Sequence, residues 1–197
     1  MKKIFVLISF LVLAAFAQEN TTAPERTLQR PVYNFQTAAF GLGFWSNWEH
    51  EVVAGDKIVK HEDNVTAFPL IRYGHIWEMT SHGAITAIST WNFKFGEDWE
   101  VHGNMLLGGR YSFLDEMVSP FVGAGVGLGM QLDSHFDDWD FGERWALGMS
   151  FGGEVGASIF HNSSVQLEVG FGFDIVASGV DFKKSFSSFN LFFGINY

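Results

Sequence analysis

The most constraining feature of this sequence is the strict alternation of side-chain type at its C-terminus. Mostly small or polar residues stand between the apolar residues of this last segment. The apolar residues occupy every second position: Phe189, Leu191, Phe193, Ile195, Tyr197. Because successive side chains of a β-strand point to opposite faces, this period of two predicts a strand with one apolar face. Similar alternation predicts seven more strands, around 35–48, 65–77, 84–95, 100–113, 122–131, 145–159 and 165–175.

The connections between these eight segments alternate in length. Short turns are expected at 78–82, 114–119 and 160–164, and polar excursions at 49–63, 96–98, 133–143 and 178–185. An up-and-down barrel shows this alternation when tight turns lie at one end and loops at the other. The connection at 96–98 departs from the pattern because it is short. Pro69 has no backbone donor, so we expect a bulge or a break where it interrupts the second strand.

The N-terminus has the organisation of a secretory signal peptide. Lys2 and Lys3 precede an apolar run that is shorter than the roughly 20 residues of a spanning helix, and a small-x-small triplet ends at Ala17. A retained anchor is the alternative. The absence of cysteine excludes a lipoprotein anchor, disulfides and Cys-based metal sites. We therefore expect a cleaved signal peptide at 1–17, a short periplasmic segment at 18–34 and one barrel domain at 35–197.

The distribution of bulk between the two faces favours a membrane over water. A soluble lipocalin-type barrel would turn its bulky face inward. Here the face opposite the large apolar residues is rich in glycine and serine and carries Arg110, Glu154 and Glu168. The interior of an eight-stranded barrel is only wide enough for side chains, so glycines leave space for charged groups that pair across it. The prediction is an all-β, eight-stranded, antiparallel, up-and-down transmembrane β-barrel, closed because strands in hydrocarbon must be hydrogen-bonded on both edges.

The charged residues of the small face are the first candidate site. They are Arg72, Arg110, Glu154 and Glu168, with Lys94 as a further candidate. An isolated charge in a narrow interior is costly, so these residues are predicted to form a salt-bridge network that helps to plug the lumen. An ion path along the same residues is the alternative.

A second candidate is the loop at 133–143, which combines carboxylates with aromatic residues. Such a loop can bind a divalent cation that bridges lipopolysaccharide phosphates. Its spacing does not match an EF-hand, and runs of like charge are usually solvated. We therefore predict neither a metal nor a cofactor.

Two stretches resemble a known group of proteins. The sequences LGGRYSF at 107–113 and SPFVGAGVG at 119–127 resemble the central hairpin of bacterial outer-membrane β-barrels, including OmpA-type transmembrane domains. The last strand resembles the C-terminal signal that the barrel-assembly machinery recognises, with Phe193, Ile195 and Tyr197 on one face. The resemblance implies a Gram-negative outer membrane and contact with its lipid and lipopolysaccharide. Some proteins of this group carry an appended peptidoglycan-binding domain, which we do not expect here because the sequence stops at Tyr197.

Residue types suited to acyl transfer occur at two places. His161 and Ser163 have the H-x-S pattern of lipid A deacylases, and 133–135 reads Asp-Ser-His. The first lies in a predicted periplasmic turn, and adjacent residues of the second point apart, so neither predicts a catalytic relay. A net charge of −10 argues against a nucleic-acid partner. We predict a non-enzymatic barrel with a plugged lumen and either a structural role or a surface-interaction role through its extracellular loops; the alternatives are a narrow pore or transporter and a lipid A-modifying enzyme.

Overall fold

The computed structural model describes residues 31–53, 56–62, 67–96, 99–133, 145–178 and 184–197, and these form nine β-strands. Among them no helix is long and apolar enough to cross a bilayer. The strands are β1 Asn34–Val53, β2 Asp56–Glu62, β3 Ala67–Glu78, β4 Gly83–Lys94, β5 Glu100–Ser112, β6 Val118–Asp133, β7 Trp145–Ile159, β8 Gln166–Ser178 and β9 Lys184–Asn196. The predicted signal peptide at 1–17 and nearly all of the expected periplasmic segment at 18–34 lie outside the described residues.

The sheet closes on itself through its first and last strands. Each strand from β3 to β9 pairs antiparallel with the next, and β1 pairs antiparallel with both β3 and β9. The pairing of β1 with β9 runs from Thr37↔Asn196 to Glu49↔Lys184. Because β2 and β3 both pair with β1, at different heights, they share one position around the barrel. The prediction of an eight-stranded, closed, antiparallel barrel is confirmed.

The first expected loop is instead a β-hairpin. β1 continues well beyond its pairing with β3, and its last residues pair with β2 from Asn47↔Glu62 to Val53↔Asp56. The charged residues of 49–63 suggested a polar excursion. Charge does not prevent strand pairing, however, and the β-branched residues of this segment favour it: Val52, Val53, Ile58 and Val59. The interpretation of 49–63 as a loop was therefore wrong for most of its length.

Pro69 interrupts only one side of its strand. On the β1 side the register runs without a bulge through Leu42↔Pro69 and Gly43↔Phe68. On the β4 side the pairing begins one residue later, at Leu70↔Asn92. A proline removes a single donor, so it is tolerated where one edge of its strand is left unpaired. The predicted break is thus found on one side of the strand, and the predicted bulge is absent.

The short turns and the two barrel termini lie at the same end, which we call the turn end. The turns span 79–82, 113–117 and 160–165, close to the predicted positions. The opposite, loop end carries the β1–β2 hairpin and the remaining connections, much of which lies outside the described residues. Up-and-down connectivity with alternating turns and loops is confirmed.

The two faces of the wall follow the predicted alternation. On β8, Phe171, Phe173 and Ile175 point outward and are about half exposed, whereas Glu168 and Asp174 are buried in the interior. The sequence predicted an inward face of glycine, serine and charged residues. The interior also holds aromatic rings, which this prediction did not include. A Cβ at Gly156 would stand 2.6 Å from the Phe121 ring, and one at Gly170 would stand 2.6 Å from the Phe192 ring. Inward glycines therefore make space for aromatic rings as well as for charges.

Candidate lumenal site

Four charged side chains from four strands meet inside the barrel, and we call them the charged layer. They are Arg72 on β3, Arg110 on β5, Glu154 on β7 and Glu168 on β8. Arg110 makes a two-pronged contact with Glu168, in which Nη1 donates to Oε2 at 2.8 Å and Nη2 to Oε1 at 3.0 Å. Arg110 Nε also donates to Glu154 Oε1 at 2.8 Å. Arg110 therefore bridges both glutamates.

The layer is closed by a second arginine and is electrically balanced. Arg72 Nη2 donates to Glu154 Oε2, so Glu154 accepts from both arginines. Asn196 Nδ2 donates to Glu168 Oε2 at 2.9 Å and adds a neutral donor. Two positive and two negative groups thus compensate one another away from water, which is the condition under which charges can be buried. The four residues chosen from the sequence are brought together, whereas Lys94 is not among them.

Lys94 lies near the loop end instead. Its Nζ contacts Glu100 Oε1 at 2.7 Å, and Glu100 Oε2 lies 3.2 Å from His102 Nε2. Alternation places Lys94 on the inward face of β4, but its position at the last residue of the strand sets it far from Arg110 along the barrel axis. The inclusion of Lys94 in the charge network was therefore wrong.

Each arginine of the charged layer also lies over a phenyl ring. Arg72 Cζ is 4.1 Å from the centre of the Phe192 ring, and Arg110 Cζ is 4.0 Å from the centre of the Phe121 ring. A guanidinium over an aromatic face gains electrostatic attraction that grows when water is excluded. Both rings are buried and fill the lumen beside the salt bridges. Sequence reasoning missed this role, although Phe192 interrupts the small face of the last strand and was visible there.

Aromatic residues fill the lumen towards the loop end, and we call them the aromatic layer. The Trp45 ring stacks on Phe68 with centroids 3.9 Å apart and on His102 at 4.1 Å. The Phe186 ring meets His102 edge-on at 4.5 Å. All four side chains are buried. The lumen is therefore blocked at two levels, by salt bridges nearer the turn end and by stacked rings nearer the loop end.

A ring of uncharged polar groups with one carboxylate lies between these two layers. We call it the polar ring, and its six buried residues are Asn92, Asn104, Ser150, Asp174, Ser188 and Asn190. Asn190 Nδ2 donates to Asp174 Oδ2 at 2.7 Å, and Ser188 Oγ lies 3.4 Å from the same oxygen. The sequence analysis did not select Asp174, although its place in the same alternating pattern as Glu168 was an available signal.

A cavity of about 40 Å³ separates the charged layer from the polar ring. Arg72 and Glu154 line it on one side, and Asp174, Asn190 and Thr90 line it on the other. One water needs roughly 10–15 Å³ of such space and two to four polar partners, so the cavity has space for about three waters. It is too small for an organic solute.

The other residues chosen from the sequence have varied positions. His161 and Ser163 lie in the turn after β7, where Gln166 Nε2 donates to His161 O at 2.8 Å and the Val165 amide contacts Ser163 Oγ at 3.3 Å. The carboxylate loop at 133–143 and the triplet at 133–135 lie outside the described residues, apart from the backbone of Asp133. Within the described ranges, no group of three or more His, Asp or Glu side chains is arranged to hold a metal.

The side chains of the terminal pattern point away from the lumen. Phe193 and Ile195 are 46% and 39% exposed on the outer wall of β9, and Tyr197, directly after the strand, is 51% exposed. The alternating neighbours Phe192, Gly194 and Asn196 are buried. The final strand therefore presents a continuous apolar edge to the surroundings, while its other face contacts the charged layer through Asn196.

The closed, all-antiparallel, eight-stranded wall has the fold of solved small outer-membrane β-barrels. The crystal structure of Neisserial surface protein A matches with a TM-score of 0.60 and 12% identity, over 84% of this chain and 97% of that one. Ail of Yersinia pestis, in complex with the heparin analogue sucrose octasulfate, matches with a TM-score of 0.50 and 13% identity, over 83% of this chain and 99% of that one. The resemblance to small outer-membrane barrels is thus confirmed at the level of the fold.

Comparisons of sequence give no further assignment. No family model matches the chain, and no curated protein matches it. The outer membrane enzyme PagL matches with a TM-score of 0.40 and 17% identity over 82% of this chain, a similarity too low to inform function. Function has to be argued from the site.

Proposed function

We propose that this protein is a non-enzymatic outer-membrane barrel whose lumen is closed to solutes and whose loop end carries its interactions. The observation that carries the proposal is the double block of the lumen. Salt bridges and cation–π pairs fill one level, stacked rings fill another, and the cavity between them is about 40 Å³. A barrel filled in this way has its loops as the surface available for specific contacts.

The outer wall supports a place in the outer membrane. Large apolar side chains from every strand with described side chains are exposed around the barrel, a surface that is stable in lipid and costly in water. With this orientation the turn end and both barrel termini face the periplasm. The loop end then lies near lipopolysaccharide and external ligands. The decisive test is cell fractionation with gel migration before and after boiling: a membrane-fraction band that shifts only on boiling is expected, and a soluble, unshifted band would overturn the proposal.

A narrow pore is the first alternative. In planar bilayers, we expect the wild-type protein to give no steady conductance. The comparison is a double variant that removes two rings of the aromatic layer, Phe68→Ala with Phe186→Ala. We expect this variant to give no steady conductance either, because its charged layer still blocks the lumen. Steady wild-type channels that change with these substitutions would overturn the proposed closed lumen.

Lipid A modification is the second alternative. His161 is buried at the turn end, whereas the outer leaflet, where lipid A resides, lies at the loop end in the proposed orientation. Mass spectrometry of lipid A from a deletion strain is expected to match the parent strain. A lipid A species that is lost on deletion and restored by the wild type but not by His161→Ala would establish the enzyme instead.

The outward face of β9 supports recognition by the barrel-assembly machinery. In cells, Tyr197→Ala is expected to lower the heat-modifiable, assembled fraction several-fold. Tyr111→Ala is the matched control, because Tyr111 is also an outward tyrosine with 48% exposure against 51% for Tyr197. Equal losses in both variants would mean that lipid contact, rather than recognition of the terminal residue, explains the effect.

A further inference from the structure

The polar ring contains more acceptor atoms than its donors satisfy. Among the described residues, four buried oxygens of the ring have no hydrogen-bond partner: Asn92 Oδ1, Asn104 Oδ1, Ser150 Oγ and Asn190 Oδ1. A buried polar atom without a partner costs about 1–3 kcal/mol, so such atoms normally mark an ion, a water or a function. Four of them at one level of a narrow lumen indicate a place for a cation or for hydrogen-bond donors such as water.

Two of these oxygens lie close to Gly43. A Cβ built on Gly43 would overlap Asn92 Oδ1 and would stand 3.0 Å from Asn190 Oδ1. Asn92 extends from β4 past β3 towards β1, and Asn190 projects from β9, which pairs with β1 at Gly43↔Asn190. The absence of a side chain at Gly43 is what lets the two carbonyl oxygens approach. Two acceptors that share one space repel each other unless a positive group lies between them.

A negative charge lies next to this pair. The Asn190 amide nitrogen donates to Asp174 Oδ2 at 2.7 Å, so its carbonyl oxygen is left facing Gly43. The charged layer is neutral by itself, with two arginines and two glutamates. Asp174 is therefore a carboxylate of the buried lumen without a salt bridge of its own in the described residues. A buried anion needs compensation by a cation or by a proton.

We propose that the polar ring binds a small monovalent cation, for which Na⁺ is the probe. Asn92 Oδ1 and Asn190 Oδ1 are the direct protein ligands beside Gly43. The Asp174 carboxylate, one hydrogen bond away through Asn190, neutralises the charge of the ion, and waters from the adjoining cavity complete its oxygen shell. One carboxylate matches one positive charge, whereas a divalent ion, which usually takes several carboxylates, would leave an excess of charge in the lumen.

The test is the thermal stability of the refolded protein in detergent at constant ionic strength. Na⁺ is exchanged for choline, which screens exposed charges equally but is too large for the ring. A ligand that binds only the folded state stabilises it in proportion to the logarithm of its concentration. Above half-saturation, the wild-type midpoint is therefore expected to rise by about 3 to 6 °C per tenfold increase in Na⁺.

Variants separate the ring from the rest of the protein. Asp174→Asn removes the charge with almost no change in shape and is expected to abolish the dependence on Na⁺. Asp115→Asn makes the same chemical change in the turn between β5 and β6 and is expected to keep it. Asn92→Leu, which removes one oxygen at similar volume, is expected to raise the half-saturating Na⁺ concentration at least tenfold. If Asp174→Asn fails to refold, Asn92→Leu and ²³Na relaxation on the wild type decide.

Three results would overturn the proposal. The wild-type midpoint could be the same in Na⁺ and choline, which would mean that waters, or a rotated amide, satisfy the ring. It could rise with millimolar Ca²⁺ but not with Na⁺ or K⁺, which would contradict the charge argument. Asp115→Asn could lose the response together with Asp174→Asn, which would place the effect outside the ring. The inference depends only on the barrel interior, so failure of the proposed surface function would leave it intact.

Discussion

The charged layer and the polar ring lie next to each other in the lumen and solve the problem of burial in opposite ways. In the charged layer, every carboxylate meets a guanidinium, and each guanidinium also covers a phenyl ring. In the polar ring, a carboxylate meets only amides and hydroxyls, and several oxygens have no partner among the described residues. The first arrangement is complete in its charge pairing, and among its four residues only Arg72 Nε has no hydrogen-bond partner in the described residues. The second has four such oxygens and a carboxylate that meets no cation in the described residues.

The largest effect is expected where a completed arrangement is broken. Arg110→Ala leaves Glu168 and half of Glu154 unpaired in the lumen. Removing one member of a buried ion pair costs about 3–5 kcal/mol, so the free energy of unfolding, measured by urea unfolding in detergent, should fall by this amount. Arg110→Lys keeps the charge but loses the two-pronged contact, so its free energy of unfolding should lie between those of the wild type and Arg110→Ala. A value for Arg110→Ala within about 0.5 kcal/mol of the wild type would mean that the layer is not a stabilising unit.

A somewhat smaller loss is expected at the other bridging residue. Glu154→Gln deprives Arg72 of its carboxylate, while Arg110 keeps its two-pronged contact with Glu168. We expect a loss of about 3 kcal/mol, at the lower end of the range for a broken buried pair, in the same unfolding experiment. A loss larger than that of Arg110→Ala would show that Arg72, rather than Arg110, is the centre of the layer.

The polar ring should respond to a change of volume as well as of charge. Gly43→Ala places a methyl group on Asn92 Oδ1, and overpacking of this kind typically costs about 1–3 kcal/mol. The variant should also lose its stabilisation by Na⁺. Gly109→Ala is the control, since its Cβ would stand 3.7 Å from Ala84 O, and its stability should stay within about 0.5 kcal/mol of the wild type. Equal losses in both variants would reflect strand propensity rather than the ring.

The smallest effect is expected from the aromatic partners of the charged layer. Phe192→Leu removes the ring under Arg72 and should cost about 1–2 kcal/mol, from the lost cation–π attraction and a small cavity. Phe193→Leu makes the same change one residue later on the outer wall, where 46% of the side chain is exposed, and should be close to neutral. Comparison of the two unfolding midpoints isolates the inward face. Equal midpoints would show that the ring contributes no more than its bulk.

Much of this architecture could be predicted from local pattern. The period of two separated inward from outward positions on most strands, and it placed Arg110, Glu154 and Glu168 inside. The β1–β2 hairpin was missed because its charged residues resemble a loop, although the backbone hydrogen bonds of a strand pair do not depend on side-chain charge. The inward aromatic rings at Phe121 and Phe186 were missed because both residues lie just outside the segments whose faces were read from the alternation, 122–131 and 189–197.

The sequence by itself determined the faces of the wall, the sign of each inward charge and the alternation of turns and loops, since these depend on neighbours along one strand. Only the tertiary structure decided which inward residues meet. Arg72 and Glu154 are 82 residues apart, and Lys94 is inward yet pairs with Glu100 at the loop end. The stagger between strands around a closed barrel sets the height of every side chain, and no local pattern contains it. The polar ring is the clearest case, because its oxygens come together only when β9 pairs with β1.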